Sequence, residues 1–492
     1  MTIAAVLARR AREHPDALAF AMRGETLTYR QLLDDADSLA SLLTHDGIVA
    51  GDRVAIVMPA GLDLVRVFFA LQRIGAAPCI FDPHVPEQTT ARRVAAIRPI
   101  AILRGAMDVT AGDRRQTAGT RETLLPSAAC RLPPAFLQLT SGTSGEPLVA
   151  CVLQRNAIAS LDASRDLFDP RPSDVLVGWV PPWHDLGLLR FVLAPVYWGV
   201  PCHLIPPAVK TIPEWFATIA KERGTITGAP DFAWRLATRL VDPSSVDLRS
   251  LRFATNGGEP VRESTLAAFE SAFGLHGVLR PGYGLAEATL GVTSTRTGET
   301  VRVDKRGNVS CGKAMRDIEV RIDRHEIIVR GPNAFVGYFD ADEETARVLR
   351  DGWLHTGDHG ALDDDGNLYV LGRQRAMIKR GGAMLAPREL EEAAQSVPGV
   401  RLAAAVGVPS DVSEEIVVVI EVERGAQAIE TLVRSAVEKA IGVAPDRVLV
   451  QEARTIPRTS NGKIRHALLR DQLTPSRLRS NPSVSSEGES ER

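Results

Sequence analysis

The chain has 492 residues, of which 45% are hydrophobic and 24% are charged, and its formal net charge at pH 7 is -2. This composition predicts a soluble, folded chain of two or three domains and excludes disorder throughout. The near balance of charge provides neither a basic patch for nucleic acid nor a polybasic strip for anionic lipid. Any binding function must therefore reside in local sites.

The cysteines and the apolar segments exclude several other classes of protein. Single cysteines without a CxxC pair or a metal-ligand spacing predict neither a disulfide framework nor a zinc site. These are Cys79, Cys130, Cys151, Cys202 and Cys311. Residues 1–12 lack the long apolar core and cleavage site of a secretory signal, which predicts a cytoplasmic protein. The apolar region 191–209 is broken by prolines, so we expect no membrane span.

Apolar runs alternate with amphipathic helices over most of the chain. Residues 54–58 read as a strand, a helix starting at Leu62 ends near Gly75, and a second apolar run follows. This order is typical of a β-α-β unit with parallel strands. Similar buried runs recur at 175–180, 202–205 and 251–255. We therefore expect an α/β fold class, with layered sheets covered by helices.

The pattern changes after Gly331. An acidic turn at 363–366 is followed by a strand at 368–371 and by Gly372-Arg373-Gln374-Arg375, which we interpret as a seam between domains. Beyond the seam we expect a compact α+β unit. Its predicted elements are strands at 402–408 and 416–422, a helix at 429–440 and a short helix after Lys463. About 100 residues are enough to fold alone. From about Pro475 the composition predicts a disordered tail.

The strand Phe136–Leu139 runs directly into a loop rich in hydroxyls and glycine. Two glycines permit sharp turns, while hydroxyls and backbone N–H groups can surround phosphate oxygens. The loop residues in question are Thr140, Ser141, Gly142, Thr143, Ser144 and Gly145, followed by Glu146-Pro147. Taken alone, the loop is also compatible with an ordinary turn, and it is not a Walker loop because no Gly-Lys-Ser/Thr follows.

Three further motifs carry side chains suited to a nucleotide. Glu287, in Tyr283-Gly284-Leu285-Ala286-Glu287, is a carboxylate that can ligate magnesium beside phosphate, although a solvated surface Glu is the alternative. Asp358 follows a turn and can accept both hydroxyls of a ribose, or simply cap that turn. Lys463 lies on the glycine-bearing loop Pro457-Arg458-Thr459-Ser460-Asn461-Gly462-Lys463, where a lone lysine is ordinarily solvated.

These four stretches, in this order, resemble the adenylate-forming superfamily of acyl-CoA synthetases, adenylation domains and luciferases. The resemblance extends from Thr28-Tyr29-Arg30-Gln31-Leu32 to the Lys463 loop. Within the superfamily the chain is most similar to the fatty acyl-AMP ligases. The motifs that carry this closer resemblance are Pro181-Pro182-Trp183-His184-Asp185-Leu186-Gly187-Leu188, Thr227-Gly228-Ala229-Pro230-Asp231-Phe232-Ala233 and Asn256-Gly257-Gly258-Glu259-Pro260-Val261-Arg262, with the Tyr283 stretch as far as Leu290.

The resemblance implies an architecture of two domains. It predicts a large amino-terminal domain of layered α/β sheets with a small β subdomain over residues 1–372. A hinge would follow at residues 373–375, with Arg375 as its pivot, although a surface charge is the alternative for Arg375. The mobile α+β carboxyl-terminal domain would occupy residues 376–473, and residues 474–492 would form the tail. The domain would swing between two steps, exchanging the Lys463 loop for the face around Gly381 and Gly382.

The resemblance also implies the chemistry and the roles of the site residues. A carboxylic acid would attack the α-phosphorus of ATP, pyrophosphate would leave, and the acyl-adenylate would acylate an acceptor. Lys463 would bridge the attacking carboxylate and the adenylate, and His184 would stand where the acyl pocket meets the α-phosphate. The remaining expected roles are magnesium at Glu287, ribose at Asp358 and Arg373, adenine at Gly258, Glu259, Pro260, Tyr283 and Gly284, and phosphate at the Thr140–Gly145 loop.

Candidate substrate-pocket residues lie in the same stretches. Trp183, Trp198 and Trp234 can either shorten an acyl tunnel or pack in a core. Asp231 can pair with an amino group on the substrate or cap a helix after Pro230. A tunnel closed by one of these rings would favour a short or functionalised acid.

The chain departs from the family pattern in the phosphate loop, where Leu148 stands in place of the usual lysine. Either another cation such as Arg155 or Lys313 substitutes, or the first step is slow. We expect a carboxylate ligase that uses ATP and Mg²⁺ and transfers the acyl group to a carrier-protein phosphopantetheine thiol. Coenzyme A and a small amine remain alternative acceptors, and a nucleotide-binding protein with decayed catalysis is the rival of another class.

Overall fold

The computed structural model describes residues 1–105, 132–140, 148–380, 383–410, 414–422, 429–458 and 464–474. The chain divides into two compact units. The larger comprises Met1–Thr356 and Gly360–Val370, and the smaller comprises Gly357–His359 and the chain from Leu371 onward. The predicted tail beyond residue 474 lies outside the described residues.

The helices and strands of the described residues alternate along most of the larger unit. The α-helices are α1 (Ile3–Glu13), α2 (Tyr29–His45), α3 (Leu62–Ile74), α4 (Glu87–Ala95), α5 (Gln154–Phe168), α6 (Asp185–Gly187), α7 (Ala194–Trp198), α8 (Ile212–Lys221), α9 (Asp231–Leu240), α10 (Glu263–Phe273), α11 (Asp342–Val348), α12 (Pro387–Gln395), α13 (Ile429–Ile441) and α14 (His466–Leu473). A π-helical segment, Leu188–Leu193, joins α6 to α7.

The strands are β1 (Leu18–Met22), β2 (Glu25–Thr28), β3 (Arg53–Ile56), β4 (Ala77–Ile80), β5 (Ala101–Leu103), β6 (Phe136–Leu139), β7 (Val149–Val152), β8 (Leu176–Gly178), β9 (Cys202–Leu204), β10 (Ile226–Ala229), β11 (Phe253–Gly257), β12 (Leu279–Leu285), β13 (Leu290–Ser294), β14 (Lys313–Ala314), β15 (Glu319–Asp323), β16 (Glu326–Arg330), β17 (Gly337–Tyr338), β18 (Leu349–Arg350), β19 (Trp353–Leu362), β20 (Leu368–Arg373), β21 (Ile378–Arg380), β22 (Ala383–Leu385), β23 (Val400–Pro409), β24 (Glu414–Val422) and β25 (Arg447–Gln451).

Two large sheets form the larger unit. One has the strand order β14-β13-β12-β11-β10-β8-β9-β1-β2, and the other has the order β17-β7-β6-β4-β3-β5. In the first sheet, β12, β11, β10, β8, β9 and β1 run parallel to one another, whereas β13 and β2 are antiparallel to β12 and β1. A smaller sheet of β15, β16, β19 and β18, with β20 paired to β19, follows in the chain.

Helix α3 shows why the sequence folds locally as it does. It is apolar around most of its circumference because it packs between β4 of one large sheet and β1 of the other. It ends at Gly75, whose φ of +81° lies in the left-handed region that favours glycine. The expected helix from Leu62 to Gly75 is thus present.

Successive residues of β11 face opposite sides of the nine-stranded sheet, and both sides are packed. Phe253 joins a core that includes α3 and α7, whereas Ala254 joins a second core built around α8 and α9. A strand that is buried on both faces gives a continuous apolar run in the sequence. This burial explains why the apolar run predicted the strand without an alternating pattern.

The smaller unit is built on a three-stranded sheet of β23, β24 and β25 with a separate hairpin of β21 and β22. Alternate residues of β23 enter two cores. Ala403 and Ala405 pack with α12 and α13, while Ala404 and Val406 pack with Leu469 of α14. Helices therefore cover both faces of this sheet, as an α+β unit requires.

The fold class predicted from the sequence is confirmed: a mixed α/β chain has a large amino-terminal part and a smaller carboxyl-terminal part. In the described part of the chain, Cys79, Cys202 and Cys311 are buried, whereas Cys151 is disulfide-bonded, which the sequence analysis did not anticipate. Within the described ranges the structure has no helix of the length and apolarity needed to cross a membrane.

Trp234 lies in the core of α8 and α9 and provides a test of this packing. It is 0% exposed, its ring centroid is 4.9 Å from that of Trp215, and its indole N–H donates to the carbonyl of Ala229 at 3.0 Å. Trp234→Ala should destabilise the larger unit by about 3–5 kcal/mol, measured as a lower denaturant midpoint. The control Leu240→Ala removes a half-exposed side chain and should shift the midpoint little. Equal shifts in the two variants would contradict the core assignment.

Candidate active site

The candidate site of the larger unit lies at the carboxyl ends of three neighbouring parallel strands. The register pairs Ala229 of β10 with Asn256 of β11, and Gly257 of β11 with Gly282 of β12. The segments that follow these strands must therefore begin at the same edge of the sheet. This edge is where open α/β sheets bind ligands.

Glycines leave a shallow slot at this edge. Gly258 is exposed, has a φ of +84°, and has no atom within 4 Å of the position where a Cβ would lie. Gly284 lies so close to the carbonyl of Leu290 that a Cβ could not be accommodated. Pro260 is exposed and Tyr283 is partly exposed beside this bare backbone. Bare glycine backbone and a partly exposed aromatic ring are therefore both present at this edge.

The carboxylate of Glu259 bonds within the protein. It accepts a hydrogen bond of 2.5 Å from the backbone N–H of Phe232, in the first turn of α9. This bond joins the segment after β11 to the segment after β10. Glu259 thus helps to hold the shape of the slot, in addition to the adenine contact predicted from the resemblance.

Glu287 lies in a short 3-10 turn directly after β12 and is held by residues distant in the sequence. Its Oε1 accepts a hydrogen bond of 2.8 Å from the hydroxyl of Tyr338. Its backbone carbonyl accepts a hydrogen bond of 2.8 Å from the N–H of Phe335. Asn333 is 0% exposed and donates to the carbonyl of Ala288 at 2.8 Å. The side-chain position of Glu287 is thereby fixed.

This arrangement fits a magnesium ion bound mainly by a substrate. The part of the chain that the structure describes contains no group of three or more His, Cys, Asp or Glu residues that could hold a metal. Magnesium prefers oxygen ligands and commonly takes only one or two carboxylates, with phosphates and water completing the shell. Glu287 is a partly exposed single carboxylate and meets that requirement.

Asp231 is predicted as a possible partner for a substrate amino group, but its carboxylate binds protein groups. It is 2% exposed and accepts from Asn256 Nδ2 at 3.1 Å, from the backbone N–H of Arg262 at 3.2 Å and from Thr265 Oγ1 at 2.9 Å. These bonds tie α9 to β11 and α10. We therefore do not include Asp231 in the proposed substrate site.

His184 directly precedes α6 and lies near the end of β6, the strand that leads into the predicted phosphate loop. Gln138 of β6 donates from Nε2 to the carbonyl of Trp183 at 2.9 Å. The backbone N–H of Thr140 donates to the carbonyl of Leu148 at 2.9 Å, so the two ends of the loop lie side by side. The structure therefore brings His184, Thr140 and the start of the loop into one region. Arg155 is exposed on α5, and Lys313 is half-buried on β14.

The three predicted tunnel tryptophans have different surroundings. Trp234 lies in the core of α8 and α9, as described above, so its predicted place in the substrate pocket is replaced by core packing. Trp183 and Trp198 are 8% and 7% exposed, and the indole N–H of each is buried and has no acceptor within the ranges that the structure describes. These two rings remain candidates for the walls of an acyl pocket.

In the smaller unit, Asp358 and Arg373 are brought together. Arg373 Nε donates to Asp358 Oδ1 at 2.8 Å, and Asp358 is 5% exposed. Gly357, with a φ of +70°, precedes the carboxylate. Arg375 is exposed in a 3-10 turn between β20 and β21. The two residues predicted to bind the ribose therefore form an ion pair with each other.

Several predicted residues lie outside the described ranges. These are Ser141, Gly142, Thr143, Ser144 and Gly145 of the phosphate loop, Gly381 and Gly382, and Lys463. The residues on either side of the Lys463 segment are anchored. Arg458 and Ile464 form a β-bridge, and Glu421, which is 0% exposed, accepts from the backbone N–H of Ile456 at 3.0 Å.

Downstream of this segment, His466 lies against Glu391. Their Nε2 and Oε1 atoms are 2.6 Å apart. Burial by itself lowers the pKa of His466, but the charge of Glu391 and the hydrogen bond to it outweigh burial and raise that pKa above its usual value.

Three polar residues of the larger unit were not singled out in the sequence analysis. Tyr338 and Asn333 fix the Glu287 turn, and both lie in Gly331-Pro332-Asn333-Ala334-Phe335-Val336-Gly337-Tyr338, where polar residues interrupt an apolar stretch. Arg190 is a charge within the apolar run after His184 and is 4% exposed. A polar residue in an apolar run was the available signal in each case.

Two family descriptions match the chain, one within each compact unit. The sequence pattern described as AMP-binding enzyme matches residues 7–339, and the AMP-binding enzyme C-terminal domain matches residues 389–463. The first match alone covers more than half of the chain. It includes β10, β11, β12 and the Glu287 turn.

Relatives and a solved structure support this assignment over nearly the full length. A putative acyl-CoA synthetase of Caulobacter vibrioides is 30% identical over 90% of both chains. The medium-chain-fatty-acid–[acyl-carrier-protein] ligase JamA of Moorena producens is 27% identical over 92% of this chain and 91% of its own. A structure from a study of fatty acyl-adenylate ligases of E. coli and L. pneumophila has a TM-score of 0.82 and 26% identity, covering 97% of this chain and 99% of that one. The adenylate-forming resemblance is thus confirmed, and the chain belongs to the AMP-binding enzyme family.

Proposed function

We propose that this enzyme is an ATP- and magnesium-dependent carboxylate ligase that forms an acyl-adenylate and passes the acyl group to a carrier-protein thiol. The observation that carries the proposal is the shared edge of β10, β11 and β12, where the glycine slot, Tyr283 and Glu287 follow paired strands. An adenine ring and a magnesium-bound phosphate chain have complementary chemistry to these groups.

In the first step, an oxygen of the acid's carboxylate forms a bond to the α-phosphorus of ATP. The bond from that phosphorus to the bridging oxygen breaks, and pyrophosphate leaves with its electron pair. Both reactants are anions, so cationic groups must offset their repulsion as charge develops. A magnesium ion held by Glu287 would withdraw charge from the phosphate oxygens. Lys463 would place an ammonium between the carboxylate and the adenylate, and His184 would line the junction of acid and α-phosphate.

The smaller unit supplies the proposed ribose site and the proposed hinge. The Asp358 carboxylate is oriented by Arg373 and can accept hydrogen bonds from ribose hydroxyls. Arg375, exposed in its short turn, would absorb the dihedral change between adenylation and acyl transfer. We propose residues 373–375 as the hinge between the domains at 1–372 and 376–473.

The acceptor is proposed from the relatives. A carrier-protein ligase and a fatty acyl-adenylate ligase structure both match this chain over more than nine tenths of its length. In the second step, a phosphopantetheine thiolate would attack the acyl carbon, and AMP would leave. Coenzyme A carries the same thiol and is the alternative acceptor, in agreement with the name of the Caulobacter relative. A small amine is the remaining alternative.

Leu148 favours one further alternative. It is half-buried and packs against the main core, so no cation projects from the position where the family usually has a lysine. A protein that binds nucleotide without turning over any acid is compatible with this replacement. Acid-dependent pyrophosphate release decides between the two functions, because a catalytically idle chain would release none with any acid.

Lys463→Ala tests the first step. If the ammonium acts as one preorganised donor, the variant should lose about 3–4 kcal/mol of transition-state stabilisation, which is roughly a hundred- to a thousandfold in acid-dependent pyrophosphate release. ATP binding, measured by calorimetry, should remain. Lys439→Ala removes an exposed lysine of α13 and serves as the control. Turnover as fast as that of the control would contradict the role given to Lys463.

Tyr338→Phe tests the magnesium site. Without the hydroxyl that holds Glu287, the magnesium concentration for half-maximal pyrophosphate release should rise about tenfold or more. Tyr369→Phe is a matched control, because its hydroxyl also lies near a carboxylate, Asp363, at 3.4 Å. An identical magnesium dependence in wild type and Tyr338→Phe would argue against Glu287 as the ligand.

Competition between thiols tests the acceptor. An acyl-adenylate formed by the wild type should acylate a phosphopantetheinylated carrier protein faster than coenzyme A at equal concentration. Mass spectrometry of the carrier and chromatography of acyl-CoA measure the two products in one reaction. The unmodified carrier, which lacks the thiol, is the control. Faster formation of acyl-CoA would reverse the order of the two acceptors.

A further inference from the structure

Arg190 is a buried cation that has no counterion among the described residues. It is 4% exposed, and its guanidinium carbon lies 3.8 Å from the centroid of the Phe168 ring. Its Nε and Nη1 atoms have no hydrogen-bond partner in the described part of the chain, and Nη2 is 3.5 Å from Ser164 Oγ, at the outer limit of a hydrogen bond. Among the described residues, no carboxylate pairs with it. Buried charges in proteins are ordinarily paired, so this guanidinium lacks the group that would stabilise it.

The guanidinium remains charged despite its surroundings. Burial lowers the pKa of Arg190 to about 9, which still leaves it protonated at neutral pH. The faces of the group are occupied by the rings of Phe168 and Trp198, whose centroids lie 3.8 Å and 5.2 Å from its central carbon. Cation–π contacts of this kind satisfy the faces of a guanidinium, but its N–H groups point outward in the plane and require acceptors.

A second unsatisfied donor lies beside the first. The indole Nε1 of Trp198 is buried and has no acceptor among the residues described, and the same ring lies beside Arg190. Both residues can only donate hydrogen bonds from these atoms. The missing partner must therefore be a group of acceptors, and a carboxylate matches the planar N–H groups of arginine in both charge and geometry.

Arg190, Phe168 and Trp198 form a cluster, and one face of β11 connects this cluster to the glycine slot. Phe253 at the start of β11 contacts Phe168, with centroids 4.1 Å apart. Residues alternate between faces along a strand, so Thr255 and Gly257 lie on the same side as Phe253. Thr255 is partly exposed, and its hydroxyl oxygen is buried without a partner. Four strand residues span about 13 Å, so the cluster lies roughly that far from the edge where the adenylate would form.

This face carries little side-chain volume near the edge. Gly228 of β10 is the register partner of Thr255, and Gly282 of β12 is the register partner of Gly257.

We propose that Arg190, together with the Trp198 N–H, binds a second carboxylate at the non-reacting end of the acid. The substrate class is then a dicarboxylic acid, with one carboxylate activated at the edge of β11 and the other held at the buried guanidinium. This inference rests on the proposed ligase function and adds the class of acid to it.

The test compares acids that differ in one carboxylate. Acid-dependent pyrophosphate release is measured for straight-chain dicarboxylates and for monocarboxylates of equal carbon number, with wild type and Arg190→Met. The wild type should prefer one or more dicarboxylates over their matched monocarboxylates. Arg190→Met should lose roughly a hundredfold or more in kcat/KM for those diacids, while the monoacids lose far less.

Stability separates binding from a structural role. Methionine in place of an unpaired buried charge should leave the melting temperature unchanged or higher in the absence of acid. The matched control is Arg280→Met, because Arg280 is 6% exposed and donates from Nη1 to the carbonyls of Arg296 at 2.9 Å and Glu299 at 2.7 Å. That control should be destabilised and should keep the wild-type preference between acids.

The proposed ligase function and the proposed Arg190 site can be contradicted separately. No pyrophosphate with any acid would contradict the ligase function. The Arg190 site would then still be supported if a dicarboxylate raises the melting temperature of the wild type and not that of Arg190→Met. An unchanged ratio of diacid to monoacid turnover in Arg190→Met, or equal stabilisation of both proteins by diacids, would overturn the site. If Arg190→Met does not fold, Arg190→Lys, which keeps the charge but not the planar donors, should show a weaker diacid preference.

Discussion

The structure depends above all on the parallel register of β10, β11 and β12. Hydrogen bonding between these strands fixes the level at which each one ends, and so fixes where the glycine slot, Tyr283 and Glu287 begin. Asp231 reinforces this register, because its buried carboxylate joins α9 to Asn256 of β11 and Thr265 of α10. Asp231, for which the sequence allows either a substrate contact or a helix cap, thus helps to hold together the strands of the candidate site.

The two units contribute different chemistry. The larger unit contains the residues proposed to bind adenine and magnesium, and Tyr338 holds Glu287 in place. The smaller one contains the Asp358–Arg373 pair, and buried carboxylates at Glu421 and Glu391 anchor both sides of the segment that carries Lys463. The proposed two-step reaction would benefit from this division if the groups needed only for the first step were withdrawn before the second.

Much of the fold was predictable because buried parallel strands and helix ends leave local signals. The apolar run at 251–255 predicted β11, and Gly75 marked the end of α3 since only glycine adopts its φ readily. Glu287 and Asp358 could be selected as candidates because each lies in one short motif, and their roles stay predictions. Contacts between distant segments were not: Tyr338 reaches Glu287 across 51 positions. The sequence also did not show whether a tryptophan packs in a core, as Trp234 does, or borders a buried cation, as Trp198 does.

The central claim is that a carboxylate oxygen attacks the α-phosphorus of ATP, and isotope transfer tests this most directly. The acid is labelled with heavy oxygen in its carboxylate, the enzyme turns it over with ATP, magnesium and a thiol acceptor, and mass spectrometry examines the AMP released. One labelled oxygen should appear in the phosphate of AMP, with unlabelled pyrophosphate. Label confined to the acid, or ADP and inorganic phosphate as the products, would contradict the account.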